Sequence, residues 1–317
     1  AEIEMALEAG ATPNRISYGN TIKKERDVAR AFELGIRLYA VDCVEEVEKV
    51  ARAAPGSRVF CRVLTDGEGA EWPLSRKFGC VPAMAIDVLR HAKSLGLDSY
   101  GVSFHVGSQQ TDLSAWDRAL GDAASVFRTL ADEGIVLRMV NMGGGFPTRY
   151  LKDVPTAQAY GMAIFDALSK HFGNRIPETI IEPGRGMVGN AGVIKTEVVL
   201  VSRKSDNDNV RWVYLDIGKF GGLAETMDEA IRYQIVTPHD GGETEPCVLA
   251  GPTCDSADVL YEKTPYPLPV SLTIGDEVLI EGTGAYTTTY SAVAFNGFEP
   301  LRSYAIGSIG FFPLDPL

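Results

Sequence analysis

Zinc-type and disulfide-type cysteine spacing are both missing from this chain. Its five cysteines, Cys43, Cys61, Cys80, Cys247 and Cys254, are odd in number and widely scattered, which matches neither a zinc ribbon nor a stapled secreted scaffold. Reduced, mostly buried thiols in a cytoplasmic protein are the expectation. No run of about 18 apolar residues occurs, so no membrane span is predicted. No secretory signal pattern opens the chain. Basic residues are in deficit: 30 Lys and Arg stand against 42 Asp and Glu, a net charge of −12. That balance argues against nucleic acid as a partner and is compatible with a cationic ligand. An initiator methionine is lacking too, since the chain opens mid-pattern at Ala1-Glu-Ile-Glu-Met-Ala-Leu.

What is present is a long, ordinary globular chain. With 317 residues, 45% of them hydrophobic, it can bury one large domain or two smaller ones. Strand-like runs at residues 15–20, 37–42, 58–64, 100–106, 138–142 and 179–182 alternate with amphipathic stretches at 24–34, 44–54, 83–95, 114–133 and 157–172. Regular βα alternation predicts an α/β fold with a parallel sheet. A closed (β/α)8 barrel has eight strands, and the pattern supplies six, so two further βα units are expected before Ala1. After about residue 190 the pattern changes. Residues 192–204, 212–218, 247–252 and 270–286 are rich in Val, Thr, Tyr and Leu, and the one helix-like stretch is 224–233. The predicted organisation is a barrel domain over 1–191, a mostly antiparallel β domain over 192–306, and a tail of open role over 307–317.

Three short stretches carry the chemistry: Phe104-His105-Val106-Gly107-Ser108, Gly143-Gly144-Gly145-Phe146-Pro147 and Glu182-Pro183-Gly184-Arg185-Gly186. Each follows an apolar, strand-like run. In a βα barrel the carboxyl ends of the strands form the active mouth, so three separate strands deliver polar groups or glycines to one place. Glycines let backbone N–H groups approach phosphate oxygens. The Ser108 hydroxyl and the Arg185 guanidinium add donors. The Glu182 carboxylate can pair with a protonated ring nitrogen, and the His105 imidazole can stack on a ring face. This set suits a planar heteroaromatic ring bearing a phosphate, such as pyridoxal phosphate (PLP). Taken singly, each group has a plainer explanation. Three glycines make a turn, a lone histidine sits in a core, and Glu182 can simply bridge to Arg185.

Together with Gly251-Pro-Thr-Cys254-Asp255-Ser-Ala-Asp258 and Gly284-Ala-Tyr286-Thr, these stretches resemble the ornithine/lysine decarboxylase family of PLP enzymes, of the alanine-racemase-like fold type. The resemblance runs from residue 1 to about 306, and Leu215-Asp216-Ile-Gly-Lys-Phe-Gly-Gly-Leu is similar to the bacterial branch. It implies a barrel followed by a β domain, in a homodimer whose subunits share their sites. It implies that His105 stacks on the cofactor ring, Glu182 binds its nitrogen, and Arg62 lies beside it. Ser108, Gly143, Gly144, Gly145, Gly184, Arg185 and Tyr286 would hold the phosphate. Asp216 would take the substrate's distal amine, with Phe295 near the site. Cys254 and Asp255 would enter from the partner subunit, Cys254 as proton donor and Asp255 as a second partner of the amine. Lys77 would pair across the dimer with Asp258. No metal is implied.

The resemblance also exposes a gap. The family fastens PLP through a Schiff-base lysine on the first barrel strand, in a Tyr-Ala-Val-Lys-like motif. This chain has Tyr39-Ala40-Val41-Asp42, which by its order belongs to a later strand, and an aspartate forms no imine. Lys23 and Lys24 sit at a charged helix start, Lys77 is assigned to the dimer interface, and Lys219 lies in the β domain. The lysine is therefore expected upstream of Ala1. The alternative is a lysine-free, antizyme-inhibitor-like binding homologue. Among enzymes, diaminopimelate decarboxylase is a second candidate, but its relatives usually carry Cys-Glu-Ser where this chain has Cys254-Asp255-Ser256. Two carboxylates, Asp216 and Asp255, suit a diamino acid such as L-ornithine or L-lysine, and the implied activity is its decarboxylation to putrescine or cadaverine in polyamine biosynthesis.

Overall fold

Every residue of the Leu38–Val41 strand is buried, as in a strand covered on both faces. Alternate side chains part to opposite sides. Tyr39, Val41, Val59 and Cys61 join one core with Val47, Leu89, Trp116 and Leu120, while Leu38, Ala40, Phe60 and Met139 form a second cluster. The computed structural model describes residues 1–72, 76–307 and 310–313. It divides into two units, Ala1–Phe146 with Pro155–Pro183, and Pro147–Val154 with Gly184–Leu317.

The first unit holds a five-stranded parallel sheet in the order Leu38–Val41, Arg58–Arg62, Asp98–Ser103, Met139–Asn141, Glu178–Ile180. Helices Glu25–Glu33, Val44–Ala53, Pro82–Ser94, Ser114–Asp132 and Ala157–Phe172 alternate with these strands, within two residues of the predicted bounds. Their apolar faces are set by helical spacing. On Ser114–Asp132, for example, Ala115, Trp116, Ala119, Leu120 and Ala123 are buried. Trp116 packs at 5.1 Å from Phe146 and 5.4 Å from Tyr160. The strand expected at 15–20 is reduced to one parallel bridge, Tyr18 to Tyr39. Pro13 opens a short 3-10 turn just before it, Pro13–Arg15.

Lys23 departs from expectation. It does not lie on a solvated helix start: its side chain is fully buried, paired at 2.9 Å with Glu46. It also donates to the carbonyls of Asn20 (2.8 Å) and Ala40 (2.6 Å). Burial pulls its pKa below the ordinary lysine value, against the pull of Glu46.

The second unit is a seven-stranded sheet, mostly antiparallel. Its path runs Gln234–Val236, Glu277–Glu281, Val193–Ser202, Arg211–Leu215, Thr244–Ala250, Val259–Leu260, with Tyr266–Pro269 beside Thr244–Ala250. One pair, Arg211–Leu215 with Thr244–Ala250, is parallel. The long run at 270–286 contributes only Glu277–Glu281 as strand. The helix expected at 224–233 is instead a short 3-10 segment, Ala224–Glu229, broken where Met227 is extended and Asp228 turns to φ +53°. Distant partners override the local pattern there. The Glu229 carboxylate accepts the Lys263 amide at 2.6 Å, and the Tyr261 hydroxyl accepts the Tyr233 amide at 2.9 Å. Near the end, Tyr304–Gly307 and Gly310–Pro313 form a hairpin. Of the tail expected over 307–317, residues 308, 309 and 314–317 lie outside the described residues.

Gly101 shows how tightly the parallel sheet is laid. A Cβ at this position would stand 2.2 Å from the Met139 carbonyl oxygen. Gly101→Ala should therefore destabilise the protein by about 1–3 kcal/mol, the usual cost of overpacking. A lowered midpoint in urea denaturation checks this.

Candidate cofactor and substrate site

In the first unit, the ladder of the parallel sheet continues past the ends of its strands. The Phe104 amide donates to Asn141 O, the Met142 amide to Ile180 O, and the Glu182 amide to Gly143 O. These bonds bring His105, the three glycines and Glu182 into line at the carboxyl ends. There is no room for side chains at the glycines. A Cβ on Gly143 (φ +64°) would lie 2.1 Å from Phe104 O, and one on Gly145 (φ +108°) 2.5 Å from Gly107 O. A Cβ on Gly144 would lie 2.7 Å from Glu182 O and 3.2 Å from the His105 ring.

His105 is held on two sides. Its Nδ1 accepts the Gly107 amide at 3.0 Å, and its carbonyl accepts the Thr65 hydroxyl at 2.6 Å. Burial, with the Arg62 charge adding to it, lowers the imidazole pKa to about 4. The ring is therefore neutral near pH 7, with its proton on Nε2. Arg62 ends its strand with its guanidinium 5.1 Å from the Phe78 ring centre. Burial lowers the Arg62 pKa, while Glu182 and Asp42 oppose that shift. Ser108 is half-buried, on a short strand opposite Trp72. Lys77 is exposed, its amine 4.9 Å over the Phe78 ring. A residue not singled out from the sequence, Asn141, ties the group together. It donates to Glu182 Oε1 at 2.8 Å and accepts the Gly143 amide at 3.0 Å.

The second unit gathers Gly184, Arg185 and Tyr286. A Cβ on Gly184 would stand 3.7 Å from the Tyr286 hydroxyl, and the Arg185 guanidinium lies 4.8 Å from the Tyr286 ring centre. Arg185 is buried and committed at two nitrogens, to the Tyr150 hydroxyl at 2.7 Å and the Glu225 carboxylate at 2.6 Å. Burial works against its charge, but Glu225 and Tyr150 more than offset that and hold its pKa above the ordinary value. Its Nε is buried without a hydrogen-bond partner among the described residues. Glu225 and Tyr150 were not foreseen, because they reach Arg185 from 40 and 35 residues away.

The same unit carries the groups expected to meet a substrate. Asp216 is exposed, and its Oδ1 accepts the Thr196 hydroxyl and, at 3.0 Å, the Glu197 amide. It lines a cavity of about 140 Å³ with Phe220, Phe295, Thr253, Lys195 and Glu299. The Phe220 and Phe295 rings lie 4.5 Å apart. Cys254 and Asp255 are exposed on the loop at 251–258. Asp258 is 2% exposed and turned into its own loop. It accepts the Lys219 amide (2.7 Å), the Thr253 hydroxyl (2.7 Å) and the Thr253 amide (3.2 Å). Among the described residues, no helix is long and apolar enough to cross a membrane, and no cluster of His, Cys, Asp and Glu could hold a metal ion.

Two outcomes follow from these environments. Because the folded His105 binds its proton less readily than the unfolded chain, its contribution to stability is full above pH 6.5 and is lost as pH falls toward about 4. An NMR titration should find one of the four histidines with a midpoint near 4, and a midpoint near 6.5 for His105 would contradict the half-buried, neutral ring. Glu225→Ala leaves the Arg185 charge buried without its partner and should cost about 3–5 kcal/mol in denaturant unfolding.

Comparison with known proteins identifies the family. Residues 1–189 match the family described as pyridoxal-dependent decarboxylase, pyridoxal binding domain. The chain is 33% identical over 302 residues to the lysine/ornithine decarboxylase of Selenomonas ruminantium, across 94% of this chain and 73% of the relative. It resembles the solved structure of Vibrio vulnificus lysine/ornithine decarboxylase complexed with cadaverine, with a TM-score of 0.81 and 30% identity over 94% of this chain and 78% of that one. It also resembles Paramecium bursaria Chlorella virus arginine decarboxylase bound to agmatine, with a TM-score of 0.83 and 27% identity over 94% and 79%. The chain belongs to the PLP-dependent decarboxylases of basic amino acids, carboxy-lyases built from a TIM-type barrel and a β domain.

Proposed function

We propose that the substrate is L-ornithine or L-lysine, decarboxylated to putrescine or cadaverine for polyamine synthesis. One observation carries this reading: the exposed Asp216 carboxylate at a cavity of about 140 Å³ with phenyl walls. Phe220 and Phe295 suit a chain of methylenes, and Asp216 suits the ammonium at its end. The relatives named lysine/ornithine decarboxylase support the same choice.

The residues present fit PLP. The neutral His105 ring can lie on an aromatic face without placing a positive charge there. The glycine cradle has no space for side chains, so a ligand can approach its backbone closely, although the Gly143 amide is already donated to Asn141. The buried Nε of Arg185 is a donor that a phosphate oxygen would satisfy. When bound, the cofactor acts as the electron sink that loosens the bond to the substrate carboxylate. This chain's residues do the rest. Glu182, steadied by Asn141, accepts from the protonated pyridine nitrogen. As the family resemblance implies, Ser108, Gly143, Gly144 and Gly145 of the first unit, and Gly184, Arg185 and Tyr286 of the second, would serve the phosphate, with Arg62 close enough for its charge to feel Glu182. In a homodimer, Cys254 and Asp255 serve the partner's site. Asp255 takes the distal amine with Asp216, and Cys254 delivers a proton to the carbon that has lost carbon dioxide. Pairing of Lys77 with Asp258 would complete the dimer, sharing a carboxylate that already closes its own loop.

Carbon dioxide release on L-ornithine, L-lysine and L-arginine tests the assignment in protein loaded with PLP. Turnover of ornithine and lysine is expected, separated by about 10–200-fold because they differ by one methylene. Inactivity on both sinks the proposal. Asp216→Asn should raise KM for diamino acids about tenfold or more, the worth of a charge-assisted bond, and leave PLP affinity unchanged. Cys254→Ala should lower kcat far more than it weakens PLP binding.

A further inference from the structure

We infer that Asn296 is the positioning residue for Cys254. Its side-chain carbonyl accepts the Cys254 amide at 2.7 Å, across 42 residues of sequence. The inference rests on the proposed role of Cys254 as proton donor and adds the group that fixes where the thiol stands.

The Cys254 loop is tied down on both flanks. On one, the buried Asp258 carboxylate holds the Thr253 amide and hydroxyl and the Lys219 amide. Gly251 and Gly218 press so closely on that carboxylate that a Cβ on either would lie within 2.3 Å of it. On the other, Asp255 accepts the Ala257 amide at 2.8 Å, and the Asp258 amide returns to Asp255 O at 3.0 Å. Cys254 stands between these ties with an exposed side chain, and its amide reaches Asn296.

Asn296 is itself held in an unusual shape. Its backbone is left-handed at φ +52°, with Ala294 at +57° and Gly297 at +84°. Asparagine is among the few side chains that accept this region readily, so the position asks for both a tolerant backbone and a carbonyl acceptor. Phe295, between the left-handed residues, sets its ring 4.5 Å from Phe220, and the Ala292 amide donates to Phe220 O at 2.9 Å. One turn therefore presents an aromatic wall of the Asp216 cavity and fixes the Cys254 backbone.

Glycine and aspartate separate the two demands. Asn296→Gly keeps the backbone free to be left-handed but removes the acceptor, whereas Asn296→Asp keeps an acceptor oxygen. Hydrogen exchange at the Cys254 amide reads the tether without any turnover. It should quicken about 2- to 12-fold in Asn296→Gly, the loss of a net hydrogen bond, and stay near wild type in Asn296→Asp. In the loaded enzyme Asn296→Gly should lower kcat about tenfold, with KM for the diamino acid and PLP affinity within about twofold, and Asn296→Asp should restore kcat. Unchanged exchange in Asn296→Gly overturns the tether, and faster exchange with unchanged kcat overturns the positioning role. Full activity of Cys254→Ala would instead overturn the role given to the thiol and would leave the exchange result to decide the tether.

Discussion

Absence of space at Gly143, Gly144 and Gly145 is the constraint on which the barrel-side site depends. Three backbone oxygens, from Phe104, Gly107 and Glu182, lie where Cβ atoms would have to go. Two of the glycines adopt positive φ, which frees the loop to run close under the His105 ring. The cost of glycine in the unfolded chain is offset by what that closeness permits. An uncharged imidazole, a row of backbone amides and a carboxylate converge there, with no side chain on the glycines to part them. Asn141 reads both ends of the arrangement, with one amide group touching the carboxylate and the glycine loop.

The second unit solves a different problem. Its polar groups are buried by committing them to one another: Arg185 to Glu225 and Tyr150, and Asp258 to Thr253 and the Lys219 amide. Buried charges demand such company, and the company also fixes geometry. Cys254, Asp255 and Asp216 are exposed on the same unit, the first two on the loop that the buried Asp258 closes. Rigidity below and exposure above is the arrangement a site needs when its ligand comes from outside the loop.

How much of this was legible in the sequence depended on range. Helix bounds such as Ala157–Phe172 follow from local spacing and were foreseen as they stand. Glycine clusters after apolar runs marked the strand ends because turn chemistry is local. The run at 15–20 looked like a full strand by composition, yet it pairs through Tyr18 alone. The stretch at 224–233 looked helical, yet Glu225 is held by Arg185 and Glu229 by the Lys263 amide, and neither partner is visible in a window of ten residues. Asn141, Glu225, Tyr150 and Asn296 escaped notice for the same reason. Each owes its role to a partner 35 to 42 residues away.

Lys23 carries a last consequence. A sequestered amine with a lowered pKa is often primed to attack carbonyl compounds. Here the nitrogen is ringed by the Glu46 carboxylate and two main-chain oxygens, with none of its side chain exposed. Its hydrogen-bonding positions are taken up by those oxygens, and with the side chain wholly buried no aldehyde can reach it while the fold is intact. The nitrogen behaves as a rivet between the Tyr18 segment and the Val44–Ala53 helix, chemically silent although its desolvation alone would suggest a nucleophile.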